Sequence, residues 1–522
     1  MIVKSTFFLL LFTQQTRSTF ARTEGNHNVL FIIVDDLRHL SEENVNLTNI
    51  QKIRAGGVSF EHAYAQQALC APSRNSLLTG RRPDSLRLYD FYSYWRDTAG
   101  NFTTIPQFFK ENGYETYSLG KVFHPGQSSN YTDDYPHSWS HYPYHPQTEI
   151  YKYAAVCKDY FTNKLESNLV CPVNVKHQPG HSLPDLESLD YAINILKERL
   201  NNSKPYFLAV GFHKPHIPLK FPRKFLRKVP IGKVQPPRYP NMPKEMPLVA
   251  WHPWTDIRSR NDIKRLNISF PMGTMPKKWS LKIRQSYFAA ATYIDALIGV
   301  LMSHVNMRKT IVVLTSDHVP LVFVAPELSP RIVHTPVELV DIFPTLAGLA
   351  NLGQNIPKCN KEDKRQLCFE GKNLKPRMER YETRNYFTNN PEPIMEKYET
   401  RNYFTNNLRP RMAYKTAKHF AISQYPRPSK YPQRNSDKPR LKQIKIMGYS
   451  IRTKRYRYTA WVSFNNTSFT INWNKIYGLE LYDHSIDPEE SNNLYLVSKY
   501  KDIHRALSKL LRSHIDPKSS TN

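Results

Sequence analysis

Glycine is scarce in this chain, 18 of 522 residues, while proline is plentiful at 39. That ratio argues against a glycine-rich phosphate cradle as the organising motif and for long, stiffened surface loops around a globular core. Two proline-rich stretches, 205–253 and 426–439, fit such loops. Uncharged apolar runs are short, and beyond the opening segment none reaches the ~18 residues a membrane span needs. Acidic residues are few, 44 Asp and Glu against 73 Lys and Arg, which gives a net charge of +29. With 40% hydrophobic and 12% aromatic residues there is still material for a large core and more than one subdomain, so disorder and fibres are excluded as the main theme.

Cysteine numbers five, an odd count. Residues 1–21 hold Lys4, an apolar run at 7–12 and small or polar residues at 18–21, which reads as a secretory signal peptide. Sequons at Asn46, Asn101, Asn130, Asn201, Asn267, Asn465 and Asn466 agree with that route. In an oxidising compartment Cys157 with Cys171, 14 apart, and Cys359 with Cys368, 9 apart, can each close a local loop, leaving Cys70 over. The basic charge is concentrated: residues 371–457 carry 22 Lys or Arg against 6 Asp or Glu, which is +16 of the total. A polyanionic partner explains that excess, and so does a solvated basic surface. No finger, basic zipper or RNA-binding motif is present, which argues against nucleic acid.

Several short apolar runs end abruptly in polar residues, the pattern of buried strands that deliver a site at their carboxyl ends. Residues 28–34 end in Asp35-Asp36, and 206–210 run into Gly211-Phe212-His213-Lys214-Pro215-His216. Residues 310–314 end in Thr315-Ser316-Asp317-His318, and a weaker run at 117–119 leads to Gly120-Lys121-Val122-Phe123-His124. A helical period spans 281–302, with Tyr287, Ala291, Ile294, Leu297, Ile298 and Leu301 on its apolar face. Strands alternating with helices predict an α/β fold with a largely parallel sheet and a ligand beyond the strands' carboxyl ends. After about Cys359 the chain turns basic and alternating, notably at 456–464 and 468–473, which predicts a smaller antiparallel sheet. We therefore expect a catalytic subdomain at 22–358 and a smaller C-terminal subdomain at 359–522. The latter holds a near-identical repeat, 378–390 and 395–407, that reads as a local duplication.

Carboxylates at two strand ends, Asp35 and Asp36 with Asp317 and His318, form a donor set for one divalent cation. Ca²⁺ suits it better than Zn²⁺, because oxygen donors outnumber nitrogen and no thiolate cluster is present. The segment Cys70-Ala71-Pro72-Ser73-Arg74, continuing through Leu78-Thr79-Gly80-Arg81, gives the unpaired cysteine a reason. It resembles the C-x-P-S-R-x-x-x-L-T-G-R element of the sulfatase family. Further matches include Arg87-Leu88-Tyr89-Asp90-Phe91, Gly120-Lys121-Val122-Phe123-His124-Pro125-Gly126, His213-Lys214-Pro215-His216-Ile217-Pro218 and Glu480-Leu481-Tyr482-Asp483.

The resemblance implies the alkaline-phosphatase-like sulfatase fold, a large mixed, mostly parallel sheet flanked by helices with a smaller C-terminal subdomain. Its run of matches points to the branch that removes the 2-O-sulfate of iduronate from heparan sulfate and dermatan sulfate in the lysosome. It further implies that formylglycine-generating enzyme oxidises Cys70 to formylglycine. Hydrated, that aldehyde offers one hydroxyl to attack sulfur and a second to drive collapse with release of sulfate. By the same resemblance Asp35, Asp36, Asp317 and His318 bind Ca²⁺ with the modified Cys70. Arg74 stabilises the diol, and Lys121, His124 and His216 contact sulfate or act as general acid and base.

One departure stands out. In the family the Asp-His pair is followed by a loop resembling G-x-x-x-G-E-H-G-x-W-x-K, whose Lys and His help bind sulfate. Here His318 runs directly into Val319-Pro320-Leu321-Val322-Phe323-Val324. The apolar runs on either side are too close for a parallel crossover, which takes about a dozen residues, so they form a tight hairpin or are disjoint pieces. Three readings stay open: a sulfatase transcript that omits the loop, a sulfatase for another sulfated sugar, and a glycosaminoglycan-binding protein that keeps the fold without turnover.

Overall fold

The computed structural model describes residues 27–38, 45–159, 161–318, 320–353, 356–359, 362–379 and 419–516. The expected signal peptide and nearly all of the repeat lie outside the described residues. The main sheet comprises β1 (Asn28–Val34), β2 (Val58–Phe60), β3 (Glu115–Gly120), β4 (Tyr206–Phe212), β5 (Thr310–Ser316), β6 (Leu321–Val324) and β7 (Arg331–Val333). Their spatial order is β7-β2-β6-β5-β1-β4-β3. β1 is parallel to β4 and β5, β3 to β4 and β7 to β2, whereas β6 runs against both β5 and β2. The sheet is thus mixed and mostly parallel, as the sequence led us to expect.

β1 shows why. Leu30, Ile32 and Val34 face a layer holding helices α1 (Thr48–Ala55), α4 (Pro184–Glu198) and α5 (Lys277–Met302). Val29, Phe31 and Ile33 face the opposite layer, with α2 (Cys70–Thr79), α3 (Ile105–Glu111) and α6 (Ile342–Leu349). Each such side chain contributes about 1.5–3 kcal/mol on full burial, so both faces demand apolar residues and the strand reads as one continuous run.

The runs around Asp317 form the hairpin. Val312 pairs with Val324 and Thr315 with Leu321, antiparallel, and Thr315 Oγ1 donates to Pro320 O at 2.8 Å. Asp317 and His318 therefore occupy its turn.

The C-terminal sheet is an antiparallel meander of β8 (Phe420–Arg427), β9 (Ile446–Thr453), β10 (Tyr456–Asn465) and β11 (Thr470–Asp483). Helix α7 (Lys501–Ile515) lays Leu507, Leu511 and Ile515 against it. β8 also docks on the segment ahead of α2, where Gln424 N donates to Gln66 O (2.8 Å), and on the segment after β7, where Ile422 N donates to Glu338 Oε1 (2.8 Å). The Cys157–Cys171 disulfide forms as expected. Cys359 and Cys368, the expected second pair, are instead free thiols. Lys358 bridges to Phe369 and Cys359 N donates to Phe369 O, which brings the two thiols within hydrogen-bond contact, and the Cys368 sulfur also accepts from Arg81 Nη2 at 2.9 Å.

Candidate active site

Three chain segments converge where β1, β5 and the start of α2 meet. Asp36 leaves β1 with φ 60°, a left-handed turn that Asp tolerates better than most residues, and this separates it from Asp35. Its N–H donates to Asp317 Oδ1 (3.0 Å), and its carbonyl accepts from the Tyr287 hydroxyl (2.7 Å) on α5. From β5, His318 Nε2 lies 3.3 Å from Asp36 Oδ1 and 3.7 Å from Asp317 Oδ2. Cys70 is the first residue of α2. One donor atom each from Asp36, Cys70, Asp317 and His318 lies within 4.8 Å of the others. Asp317 Oδ2 is buried and has no hydrogen-bond donor among the described residues. Two carboxylates and an imidazole beside Cys70 fit a divalent cation, which would satisfy that orphaned oxygen.

Asp35, expected among the ligands, stands outside this group of four. Its Oδ1 accepts from Arg74 Nη2 at 2.7 Å and its Oδ2 from Lys121 Nζ at 2.5 Å, all in buried positions. Burial alone would raise the Asp35 carboxyl, but Lys121, His216 and Arg74 hold it well below the usual carboxylate range. Arg74 is a hub. Its Nη1 donates to the carbonyls of Lys121 and Val122, and its Nε lies 3.3 Å from Asp317 Oδ2, at ion-pair distance without a directed hydrogen bond. Ser73 Oγ, one residue earlier, donates to Asp317 O. Lys121 reaches Asp35 because β3 ends at Gly120, opposite Gly211 of β4: Gly120 has φ +66°, and a Cβ on Gly211 would meet the Lys121 carbonyl at 2.1 Å. Burial opposes its charge, but Asp35 raises the Lys121 ammonium above its ordinary value, so it stays cationic.

Burial pushes the Cys70 thiol up to about 11, against the pull of Lys121. A helix N-terminus ordinarily favours thiolate, so desolvation prevails here and the unmodified thiol is a poor nucleophile. His216 is lowered to about 3 by burial and then by Lys121, and its Nε2 lies 3.8 Å from Asp36 Oδ2. Burial, Lys121 and Arg74 also carry His124 well below its usual range. The Phe91 ring covers His124 at 4.6 Å, and His124 Nδ1 is buried without a partner among the described residues.

All the expected residues thus lie in one neighbourhood, in two groups: the candidate donors Asp36, Cys70, Asp317 and His318 on one side, and Arg74, Lys121, His124 and His216 about Asp35 on the other. Supporting residues escaped the sequence reading. Tyr287 was placed on the apolar face of α5, yet its hydroxyl holds the Asp36 carbonyl and accepts from Arg38 N (2.9 Å). Asp185, the second residue of α4, accepts from His213 N at 2.5 Å and Lys214 N at 3.3 Å, and so fixes the turn that presents His216. Its place in the first turn of a proline-started helix was the available signal. Tyr425, at the end of β8, is close enough to feel charge on Cys70, and its hydroxyl donates to Asp437 O (2.6 Å).

Comparison with known proteins agrees with this geometry. The family model described as Sulfatase matches residues 27–325. Iduronate 2-sulfatase of Homo sapiens is 44% identical, covering 92% of this chain and 93% of that protein. The Mus musculus protein of the same name is 42% identical over 91% of each. Among solved structures, the phosphonate monoester hydrolase SpPMH from Silicibacter pomeroyi superposes with a TM-score of 0.63 at 18% identity, covering 94% of this chain and 95% of that one. With Cys70 heading α2, the candidate donor cluster at the ends of β1 and β5 and the match across the main sheet, the chain belongs to the sulfatase family of sulfuric ester hydrolases.

Proposed function

We propose that this protein releases the 2-O-sulfate of iduronate in heparan sulfate and dermatan sulfate, in the lysosome, after entry by the secretory route. Residue 70 acts as formylglycine, and Asp36, Asp317 and His318 hold Ca²⁺ with it, while Asp35 serves as counter-ion to Lys121 and Arg74. The observation that carries this reading is the position of Cys70: a thiol held at about 11 is useless as such, yet it sits among metal donors and beside two buried cations. The names and extensive overlap of the two mammalian relatives support the choice of sugar.

Bound Ca²⁺ and hydrated formylglycine supply Lewis-acid polarisation of the sulfate oxygens and a hydroxyl nucleophile. The chain's own residues do the rest. Lys121 and Arg74 keep their positive charge in a buried setting, where it attracts an anion far more strongly than in water. His216 Nδ1 donates to Ile217 O at 2.5 Å, which leaves the neutral ring's Nε2 with its lone pair towards the site to accept a hydrogen bond. His124 brings its partnerless Nδ1 to the same anion, with Phe91 closing its ring off from water.

Two measurements test this. Mass spectrometry of the tryptic peptide ending at Arg74, in protein made with the modifying enzyme, is expected to show the thiol replaced by an aldehyde. Sulfate release is expected from 2-O-sulfated iduronate in preference to 6-O-sulfated glucosamine and 4-O-sulfated galactosamine; preference for either hexosamine overturns the assignment. The hairpin at Asp317 favours a second reading, a glycosaminoglycan-binding protein with slow turnover or none, because it carries no loop with the Lys and His that the family brings to sulfate. Salt-sensitive heparin binding without sulfate release distinguishes that reading.

A further inference from the structure

We infer that Tyr92 and Arg440 form a subsite at the mouth of the active site for an anionic sugar residue adjacent to the one that carries the scissile sulfate. The inference rests on the sulfated-glycan reading above and adds a place for the rest of the chain.

Location comes first. Phe91 packs on His124, which feels the charges of Lys121 and Arg74, so the segment 90–93 borders the reaction centre. Phe91 turns inward, and the next residue turns out: Tyr92 is 40% exposed. Its position is fixed. The buried Asp90 accepts from Tyr92 N (2.9 Å) and Ser93 Oγ (3.0 Å) with Oδ1, and from Leu441 N (2.8 Å) with Oδ2. One carboxylate therefore clamps the turn after β2 and α2 to the turn between β8 and β9. The clamp sets Arg440 over Tyr92, its guanidinium carbon 4.2 Å from the ring centroid.

The chemistry follows from that pair. Arg440 is exposed and has no carboxylate partner among the described residues, whereas Lys438 nearby is paired with Asp256 at 2.5 Å. Residues 430–445 carry six Lys or Arg against the single Asp437, so the turn has a net positive charge with few internal partners. A pyranose has an apolar C–H face that packs on an aromatic ring, and sulfate or carboxylate groups on its edge match the planar guanidinium fork. A guanidinium stacked on one side of Tyr92 keeps its N–H edge free and leaves the remaining ring surface open. An uncharged or isolated sugar would use only half of this arrangement; an anionic residue in a chain uses both.

The test uses the full-length protein carrying Cys70→Ala, so that binding is read without turnover. Affinities are measured for an iduronate 2-sulfate monosaccharide and for the same sugar linked to N-sulfated glucosamine. The expected parent prefers the disaccharide, and the disaccharide-to-monosaccharide affinity ratio falls about tenfold in Tyr92→Ala and in Arg440→Ala. The double variant falls by less than the product, because the two side chains act as a unit. Tyr92→Phe retains the ratio, and Arg440→Ala weakens its salt dependence. Both side chains are exposed, so unchanged melting temperatures are expected throughout. A parent that binds the disaccharide no better than the monosaccharide, or variants that keep the parent's ratio, overturns this inference alone. A parent that binds neither saccharide overturns the functional reading and this subsite with it.

Discussion

Inserting the family's glycine-rich loop between His318 and Val319 is expected to raise turnover by at least 10²-fold. The pocket shows why. Arg74 and Lys121 are its buried cations, and each spends a contact on Asp35. The loop would bring a Lys and a His to the transferring sulfate, and one oxyanion donor is typically worth about 10²–10³ in rate, or ~2.7–4 kcal/mol. Against this stands the cost of lengthening the turn. Residues 317–320 join β5 to β6, so adding about twelve residues doubles the turn length twice, at ~0.6 kcal/mol each, or about 1.2 kcal/mol in all. That is small beside the roughly 5–15 kcal/mol by which domains are stable. The assay is sulfate release from a 2-O-sulfated iduronate glycoside by both chains, each shown to carry formylglycine, with thermal melts confirming that both are folded. Equal kcat/KM within threefold would refute the reasoning and make the loop dispensable.

Other outcomes follow from the same contacts. Arg74→Ala leaves Asp35 and Asp317 buried without their shared guanidinium, and is expected to cost about 3–5 kcal/mol in urea unfolding as well as activity. Tyr287→Phe removes the hydrogen bonds to Asp36 O and Arg38 N; we expect about 1 kcal/mol lower stability and weaker Ca²⁺ retention in a chelator titration, with little change at saturating Ca²⁺. His145 is raised to about 10 by hydrogen bonds to Asp133 and Glu149. A raised folded value means that the native state holds the extra proton, so its stabilisation is complete below about pH 6.5 and is lost as pH rises towards 10; His145→Gln is expected to flatten the melting curve over that window.

What the sequence revealed and what it hid divide along physical lines. β1 and β5 were legible because strands buried on both faces must be apolar throughout, and their ends are marked by the first polar residues. The different partners of Asp35 and Asp36 were not legible, since adjacent residues after one strand look equivalent. A single left-handed turn sets Asp36 beside Cys70, Asp317 and His318, while Asp35 meets Arg74 and Lys121. Tyr287 was hidden for another reason: helical periodicity reports the face a side chain lies on, not what its terminal hydroxyl does. Cys359 and Cys368 do come together, as their short separation led us to expect, but as neighbouring thiols and not as a disulfide.

The hairpin left two topologies open at the sequence level, and the one adopted separates scaffold from chemistry. Asp36 N to Asp317 Oδ1, Ser73 Oγ to Asp317 O and Arg74 to both Asp35 and Asp317 tie β1, α2 and β5 together without any residue of the absent loop. The donor cluster therefore stands while part of the sulfate's cationic lining is missing. Three carboxylates, Asp35, Asp36 and Asp317, face the cations Lys121 and Arg74 and the His318 imidazole, which Asp317 and Asp36 hold well above its ordinary value against burial, so without a metal the positive charge at the centre is largely offset. A divalent cation tips that balance towards an incoming sulfate. Metal and sulfate binding are then thermodynamically linked, each strengthening the other by the same factor. A chain of this shape is expected to lose sulfated ligand on chelation whether or not it turns the ligand over, because binding depends on the charge balance of the scaffold while rate depends on the cations the loop would add.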